Sequence, residues 1–289
     1  MGSSRPLVSV VIPTYNRARL VQEAVGSVLA QSYRPLELIV VDDGSTDATG
    51  AALAGRPEVR VLSQPHTGLP GQVRNAGARL ARGEYLAFLD SDDLWQPPKL
   101  ERQVAAATAA GDVIWHTRER WVRSGRVISQ RSQRHRRSGD LFADSLRKCV
   151  IGPSTVLLHR AAFARAGGFR EDLEIAEDYE LWLRLTARYS VGYLDQELVI
   201  KRAGHSDQLS ERYGQIEIFR LRALHNLVAT GHFGAGSRHR AACEELARKA
   251  RIYAVGCRKR GRLGEARRYE ALARRWRDAP DRTPAPPAA

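Results

Sequence analysis

Residues 84–95 read EYLAFLDSDDLW, a short apolar run that stops at three aspartates within four positions. The run at 85–89 has the length and composition of a buried strand, which is typical of parallel sheets. Asp90, Asp92 and Asp93 follow it directly, and carboxylates held this close repel one another. The stretch therefore predicts a strand end that needs a divalent cation, or a set of hydrogen-bond donors, to hold these groups together.

Strand-like and helix-like segments alternate along the first half of the chain. The apolar runs LVSVVIP, LELIVVDD, EVRVLSQ and DVIWHT indicate further strands, with amphipathic segments between most of them. Asn16 is predicted to be the N-cap of the first helix. Because strands separated by helices need crossover connections, the pattern predicts a Rossmann-like α/β fold with a mainly parallel sheet flanked by helices.

The end of the chain has a different pattern, in which only helical signals occur. They indicate helices at about 215–230, 237–259 and 262–277, followed by a Pro/Ala-rich end. We therefore expect an α/β domain at 1–212, an all-helical C-terminal appendage at 213–278 and a disordered tail at 279–289.

The chain of 289 residues has a formal net charge of +14, and the charge is unevenly distributed. Residues 118–137 hold eight arginines against one glutamate, and residues 234–278 hold fourteen basic against five acidic residues. This excess favours an anionic partner, such as a phosphorylated substrate or an acidic membrane surface, although a solvated surface explains it equally well. Nucleic acid is not expected, because Trp121 is the one aromatic residue among the arginines of 118–137.

The cysteines and the hydropathy of the chain indicate its cellular compartment. Cys149, Cys243 and Cys257 are scattered and do not have metal-ligand spacing, which is typical of thiols in a reducing compartment. No apolar run approaches the roughly 18 residues of a membrane span, and none resembles a signal peptide. We expect a cytoplasmic protein, with peripheral contact at the inner face of an anionic membrane as an option that the charge permits.

Polar residues follow three of the predicted strands: PTYN at 13–16, DDGS at 42–45 and DSDD at 90–93. Ligands of doubly wound sheets bind at these carboxyl ends. The chain has no G-x-G-x-x-G and no Walker pattern, so a pyrophosphate would need a cation that bridges it to carboxylates. Asp90 and Asp92 are suited to Mg²⁺ or Mn²⁺, with Asp92 as the first choice, although DSDD is also typical of a turn before a helix.

Longer segments carry a resemblance to a known family. They are VSVVIPTYNRARLVQEAVGSVLAQSY, ELIVVDDGSTDAT, GLPGQVRNAGARLARGEYLAFLDSDDLWQPPKLERQV, PSTVLLHRAAFARAGGF and AEDYELWLRL. In this order and spacing they resemble the family-2 glycosyltransferases, which are inverting nucleotide-sugar transferases of the GT-A fold. The resemblance spans about residues 7–185 and does not cover the helical end.

The resemblance implies roles for individual residues. Those matched to nucleotide-sugar binding are Pro13, Thr14, Tyr15, Asp42, Asp43, Arg74, Asn75, Asp90 and Ser91. The first three match the wall around the nucleoside, and Asp43 matches the acid that bonds to the base. Those matched to the metal are Asp90, Asp92 and His205, and Asp178 in AEDYE matches the catalytic base.

The implied function is metal-dependent transfer of a sugar, with a UDP-sugar as the expected donor and a glycan or lipid-linked acceptor. Processive relatives carry a Gln-x-x-Arg-Trp element that this chain lacks, so we expect a non-processive enzyme. Three alternatives stay open: a sugar-phosphate nucleotidyltransferase, a non-catalytic basic module that binds an anionic surface or nucleic acid, and a transferase without turnover. The sugar, the linkage, the acceptor and the oligomeric state are not specified by any motif.

Overall fold

The computed structural model of the chain describes residues 5–129, 137–204 and 216–277. His205, which the resemblance assigns to the metal, lies outside the described residues, and so do the predicted boundary after 212 and the tail at 279–289. Within the described ranges, nine strands form one sheet with apolar clusters on both of its faces.

Four parallel strands form the first half of the sheet. They are β1 (Val8–Thr14), β2 (Leu36–Asp42), β3 (Val59–Ser63) and β4 (Tyr85–Phe88). Their order is β3-β2-β1-β4, and each neighbouring pair is parallel. Successive side chains point to opposite faces, so that Val10 joins one apolar cluster and Val11 joins the other. The predicted parallel sheet is confirmed for these strands.

The second half of the sheet is mixed. Its strands are β5 (Leu94–Trp95), β6 (Ile114–Arg123), β7 (Arg126–Ile128), β8 (Leu157–His159) and β9 (Gly192–Ala203). They continue the order as β4-β8-β6-β9-β5, with β7 paired to β6. β8 is antiparallel to β4 and β6, whereas β6 and β9 are parallel. The prediction of a mainly parallel sheet does not extend to this half, because a short buried strand has the same apolar pattern in either direction.

Four helices follow the first strands in alternation: α1 (Ala18–Leu29), α2 (Thr49–Leu53), α3 (Pro70–Leu80) and α4 (Lys99–Ala110). The prediction that Asn16 caps α1 is wrong, because Arg17 is the residue at that position. Asn16 adopts a positive φ of 49°, and its Oδ1 accepts a hydrogen bond from the backbone N–H of Thr46 at 2.7 Å. Its side chain therefore fixes the loop after β2 instead of the helix.

Three more helices belong to the second half: α5 (Phe142–Arg147), α6 (Arg160–Arg165) and α7 (Glu177–Thr186). The first turn of α7 carries three acidic residues, where the helix dipole favours negative charge. The residue before it, Ala176, has a positive φ of 69°, so the chain turns sharply into the helix. This turn sets the position of Asp178.

The helical end consists of α8 (Ile216–Ala229), α9 (Ser237–Lys259) and α10 (Leu263–Arg277), close to the predicted bounds. Its apolar residues form a third cluster, in which Leu224 and Leu246 join Tyr179 and Leu183 of α7. The helical end thus shares a core with the helix that carries Asp178. No helix in the described ranges combines the length and the hydropathy that crossing a membrane requires.

Candidate functional site

A cleft of about 1010 Å³ opens at the edge of the sheet where the parallel strands end. Thr14 is the last residue of β1, Asp43 follows β2, and Asp90 follows β4 by two residues; all three line the cleft. The carboxyl ends of neighbouring parallel strands lie at one edge of a sheet. The three polar strand ends are therefore brought together, as the sequence predicts.

Aromatic rings form one end of the cleft. Pro13 and Thr14 line this end with Tyr15, whose ring stacks on the imidazole of His66 with centroids 3.9 Å apart and planes at 16°. Tyr15 is 38% exposed, which leaves ring surface available to a planar ligand. Sequence reasoning assigned no site to His66, because the residues that follow β3, QPHT at 64–67, include no carboxylate.

Asp43 lies in the cleft, but protein donors occupy its carboxylate. Gln64 Nε2 donates to it at 2.8 Å, and the backbone N–H groups of Thr67 and Gly68 donate at 3.1 and 2.9 Å. A carboxylate offers about four lone-pair sites, so these donors take most of its capacity. Asp43 thus holds the 64–68 loop, and a bond to a nucleobase would have to replace one of these donors.

Two predicted donor-binding residues do not reach the cleft. Asp42 Oδ1 accepts hydrogen bonds from the backbone N–H and the hydroxyl of Ser45, at 3.1 and 2.5 Å. Asn75 exchanges two hydrogen bonds with the backbone of Phe169, at 2.9 and 3.0 Å, and both side chains are buried. Asp42 and Asn75 therefore shape loops beside the cleft, because their polar atoms are already bound within the protein.

The three aspartates after β4 form a cluster in which one oxygen from each lies within 4.8 Å of the others. Asp93 is the most enclosed: Oδ2 accepts from Ser154 Oγ at 2.7 Å and Oδ1 accepts from the backbone N–H of Arg202 at 3.1 Å. Burial raises the pKa of Asp93 to about 7, and the charges of Asp90 and Asp92 add to the effect. Asp93 therefore contributes mainly to the fold, although all three aspartates line the cleft.

Side-chain cations neutralise the cluster. Arg17 Nη1 lies 2.9 Å from Asp92 Oδ2, and Arg74 Nη2 lies 2.7 Å from Asp90 Oδ1. Lys201 Nζ lies 3.6 Å from Asp90 Oδ2 and 3.3 Å from the third aspartate. Burial alone would raise the pKa of Asp90, but the charges of Arg74 and Lys201 outweigh it and lower that pKa to about 2.

The donor set at Asp90 and Asp92 fits a divalent cation. Both side chains line the cleft and offer carboxylate oxygens, the ligands that Mg²⁺ and Mn²⁺ prefer. Ser91, between them, is buried and also lines the cleft, where its Oγ accepts from Arg17 at 3.4 Å. The chemistry of these residues therefore agrees with the predicted site, with His205 outside the described residues.

Asp178 lies in the same cleft, at the start of α7. Its Oδ1 accepts from the backbone N–H of Tyr179 at 2.6 Å, and its Oδ2 accepts from the thiol of Cys149 at 3.3 Å. Burial, followed by the charge of Asp178, raises the pKa of Cys149 well above its ordinary value. Sequence reasoning treated Cys149 as an ordinary thiol, since its partner is 29 residues away.

Arg74 lines the cleft as a buried residue that bridges two carboxylates. Besides its contact with Asp90, its Nη1 lies 2.5 Å from Glu177 Oε1. Burial raises the pKa of Glu177 to about 7; the charge of Arg74 opposes this shift and that of Asp178 adds to it. The guanidinium predicted to contact the donor is therefore already shared between two carboxylates of the protein.

The remaining wall comes from segments to which sequence reasoning assigned no site. Glu119 and Trp121 of β6 line the cleft, and Trp121 Nε1 donates to Glu119 Oε1 at 2.8 Å. Arg220 of α8 lines it as well, so the helical end supplies part of the wall. The one sequence feature that could have indicated this wall was Trp121, an aromatic residue in an arginine-rich stretch.

Comparison with known proteins identifies relatives of this chain. The model of glycosyl transferase family 2 matches residues 9–167, which is more than half of the 289 residues. An uncharacterized glycosyltransferase of Rickettsia typhi is 33% identical over 215 residues, covering 70% of this chain and 65% of that protein. The succinoglycan biosynthesis protein ExoO of Rhizobium meliloti is 44% identical over 111 residues, covering 38% of this chain and 32% of ExoO. The chain thus spans less than two thirds of the length of either relative.

Solved structures share the fold. S. aureus TarS in complex with UDP matches with a TM-score of 0.63 and 19% identity, covering 94% of this chain and 90% of that one. The mannosyltransferase PcManGT from Pyrobaculum calidifontis, in complex with GDP-Man and Mn²⁺, matches with a TM-score of 0.62 and 19% identity, covering 94% and 86%. The fold is the GT-A fold, and with the family match over residues 9–167 the chain belongs to glycosyltransferase family 2.

Proposed function

We propose that the chain is a metal-dependent inverting glycosyltransferase that moves a sugar from a nucleoside diphosphate to a hydroxyl of a glycan or lipid-linked acceptor. The observation that carries the proposal is that Asp178 lines the same cleft as Asp90 and Asp92. One cleft therefore offers a base for an acceptor and oxygen ligands for a cation beside a donor. Family membership favours this activity over nucleotidyl transfer and over a non-catalytic basic module.

The nucleoside of the donor would bind at the aromatic end of the cleft. The Tyr15–His66 stack offers a flat surface there, and Pro13 and Thr14 form the adjoining wall. We retain a UDP-sugar as the proposed donor, with dTDP- and GDP-sugars as alternatives. TarS holds UDP-GlcNAc and PcManGT holds GDP-Man, so both bases occur among proteins of this fold.

The diphosphate would lie at the carboxylate cluster, with Asp90, Asp92 and His205 as the proposed ligands of Mn²⁺ or Mg²⁺. Such a cation, when bound, supplies positive charge against the charge that develops on the leaving diphosphate. Lys201 and Arg17 add fixed positive charge at the same end of the cleft.

Asp178 would act as the general base. Its carboxylate takes the proton of the acceptor hydroxyl while the hydroxyl oxygen attacks the anomeric carbon on the face opposite the diphosphate. The new C–O bond forms as the bond to the diphosphate oxygen breaks, and that oxygen keeps the electron pair. Hydrogen bonds from Tyr179 and Cys149 orient the carboxylate, because each of its oxygens accepts from one of them.

The helical end offers a second, broader surface that bears on the acceptor. Residues 234–278 carry a net charge of +9, and α9 and the start of α10 expose Ile252, Val255 and Leu263. A basic surface with exposed apolar residues favours contact with anionic lipids, which would bring the cleft near a lipid-linked acceptor. Sedimentation with vesicles tests this: binding is expected to rise with anionic lipid content and fall with salt, and binding independent of lipid charge would contradict it.

A thermal-shift panel tests the donor and the metal together. UDP, dTDP, GDP and CMP are each added with and without Mn²⁺ to the wild type, Asp92→Asn and Asp172→Asn. We expect one nucleoside diphosphate to raise Tm mainly when Mn²⁺ is present, because a ligand that binds the folded state stabilises it. Asp92→Asn should lose the metal-dependent part. Asp172 lies outside the cleft lining and pairs with Arg170, so its variant should keep the response. No response of the wild type to any nucleotide would contradict the proposal.

A further inference from the structure

Glu119 and Trp121 form a pair of side chains on the wall of the cleft. They are two residues apart in β6, so their side chains point to the same face of the strand, and both line the cleft. Trp121 Nε1 donates a hydrogen bond to Glu119 Oε1 at 2.8 Å. This bond fixes the orientation of the indole ring relative to the carboxylate.

One side of the Glu119–Trp121 pair is connected to the carboxylate cluster. Trp121 lies opposite Lys201 in the pairing of β6 with β9, and Lys201 Nζ lies 5.7 Å from the centroid of the tryptophan ring. The same Nζ lies 3.6 Å from Asp90 Oδ2. The ring is therefore next to the place where the diphosphate of the donor would bind.

The other side of the pair is connected to the segment that contacts Asp178. A Cβ on Gly152 would lie 3.2 Å from Glu119 Oε2, so the carboxylate lies against the backbone of this glycine. Gly152 and Cys149 both line the cleft, and the Cys149 thiol donates to Asp178 Oδ2 at 3.3 Å. The pair thus links the wall at the proposed diphosphate site to the wall at the proposed base.

The chemistry of the pair suits a sugar ring. An indole offers a flat apolar face on which the C–H groups of a sugar can pack, and both residues are partly exposed. A carboxylate has about four lone-pair sites, and the indole N–H takes one of those on Glu119, so sugar hydroxyls can donate to others. In an in-line displacement the anomeric carbon lies between the leaving oxygen and the attacking hydroxyl, so the transferred sugar would border this pair.

The charge of Glu119 distinguishes between classes of sugar. A hexuronate carries a carboxylate of its own, which Glu119 would repel. Lys201, the cation beside Trp121, is already held by Asp90 and Asp93, at 3.6 and 3.3 Å, and therefore compensates little of this repulsion. A neutral hexose meets no such repulsion.

We propose that the Glu119–Trp121 pair is the binding site of the transferred sugar and selects a neutral hexosyl donor over a hexuronosyl donor. Trp121 supplies the surface on which the sugar packs. Glu119 accepts from the sugar hydroxyls and excludes a second carboxylate. The inference rests on the proposed function and deepens it by naming the class of sugar.

Calorimetric titration in the presence of Mn²⁺ isolates the contribution of the sugar, because each nucleotide sugar is compared with its nucleoside diphosphate. One series is UDP, UDP-glucose, UDP-galactose, UDP-N-acetylglucosamine and UDP-glucuronate, and the other is GDP, GDP-mannose and GDP-mannuronate. Trp121→Ala is expected to weaken the neutral nucleotide sugars that the wild type binds by roughly fivefold to tenfold and to leave UDP or GDP unchanged. Trp121→Phe keeps a flat ring and should retain most of the affinity.

Glu119→Gln tests the selection by charge. The amide removes the negative charge and keeps an oxygen that accepts from hydroxyls, so the affinity for the uronate should rise several-fold relative to that for the neutral hexose. Glu197→Gln is the matched control with the same charge change. Glu197 lies on the neighbouring strand β9, pairs with Arg118 and Arg120 and is outside the cleft lining, so its variant should leave this ratio unchanged.

The outcomes separate this inference from the proposed function. Thermal unfolding checks that each variant is folded, and Trp121→Leu, which keeps an apolar side chain without the flat ring, replaces an alanine variant that is not. Loss of a flat ring that weakens nucleotide sugar and nucleoside diphosphate equally, or weakens neither, would overturn the sugar site. An unchanged ratio of uronate to hexose in Glu119→Gln would overturn the selection by charge. A wild type that binds neither UDP nor GDP would overturn the proposed function, and this inference with it.

Discussion

Glu177, the residue before the proposed base, is paired with Arg74 at 2.5 Å between Oε1 and Nη1. The second terminal nitrogen of the same guanidinium lies 2.7 Å from Asp90 Oδ1. One buried cation thus joins α7, which carries Asp178, to the carboxylate cluster after β4. The position of the proposed base relative to the proposed metal site therefore depends on a contact that involves neither Asp178 nor Asp92.

Arg74→Gln is expected to lower the free energy of unfolding by roughly 3–5 kcal/mol, because it leaves two carboxylates without their shared cation. Glu177→Gln is expected to cost about 1 kcal/mol, since the amide oxygen can still accept from Arg74. Urea denaturation of both variants at neutral pH measures the two costs. If they are equal, the bridge between Asp90 and Glu177 does not hold the site together.

Two glycines provide a matched test of the packing beneath the site. A Cβ on Gly77 of α3 would lie 2.4 Å from Val11 Cγ1 and 3.0 Å from Val41 Cγ2, whereas one on Gly26 of α1 would meet nothing within 4 Å. Gly77→Ala is expected to destabilise the fold by about 1–3 kcal/mol through overpacking. Gly26→Ala is expected to stabilise it by up to about 1 kcal/mol, because alanine favours helix. The Tm of each variant measures the effect, and a Gly77→Ala variant as stable as the wild type would contradict the packing of α3 against β1 and β2. A loss of stability in Gly26→Ala would contradict the open space around Gly26.

His232, just after α8, predicts a dependence of stability on pH. Burial, then the charges of Arg184 and Arg188, lower the pKa of His232 from 6.5 to about 4. In the unfolded chain this histidine is protonated below about pH 6.5, whereas in the folded chain it stays neutral down to about pH 4. The free energy of unfolding therefore decreases as the pH falls through this window. His232→Gln cannot take up this proton. The stability lost between pH 7.5 and 5 should be smaller in the variant by about 1–2 kcal/mol, and equal losses would refute the shift.

Cys149 reports on its neighbour Asp178. Because burial and the carboxylate both raise the thiol pKa, alkylation of Cys149 in the native protein is expected to be slow at pH 8. Asp178→Asn removes the negative charge and should accelerate it several-fold, as measured by mass spectrometry of the peptide. Asp172→Asn should leave the rate unchanged. An unaltered rate in Asp178→Asn would argue against the 3.3 Å contact.

The parts of the site that could be predicted from the sequence are those that depend on both local sequence pattern and sheet geometry. Apolar runs that end in PTYN, DDGS and DSDD identified three strand ends, and parallel pairing brings such ends to one edge whatever the side chains beyond them do. The sequence did not predict that Asp42 forms hydrogen bonds with Ser45 and that Asn75 forms them with the backbone of Phe169. Those partners depend on how loops close, and no periodicity encodes loop closure.

The cations of the cluster were beyond the sequence for a related reason. Arg17 and Lys201 are 75 and 108 residues from the aspartates that they contact, so their pairing is decided by the sheet order β9-β5 and the entry into α1. The far wall, from Trp121 to Arg220, likewise joins segments that carry no motif. Motifs therefore predicted which residues face the cleft after β1 and β4, and tertiary packing supplied the charges that balance them.

The central claim, that Asp178 removes the acceptor proton in a cleft that binds the donor beside it, is tested most directly by donor turnover. Nucleotide sugars that bind the wild type are incubated with wild type, Asp178→Asn and Asp172→Asn, and the released nucleoside diphosphate is measured with acceptor glycans or with water as the acceptor. Asp178→Asn is predicted to bind donor and Mn²⁺ like the wild type and to turn over at least roughly 100-fold more slowly, the effect of losing a general base. Turnover of Asp178→Asn at the wild-type rate would contradict the account.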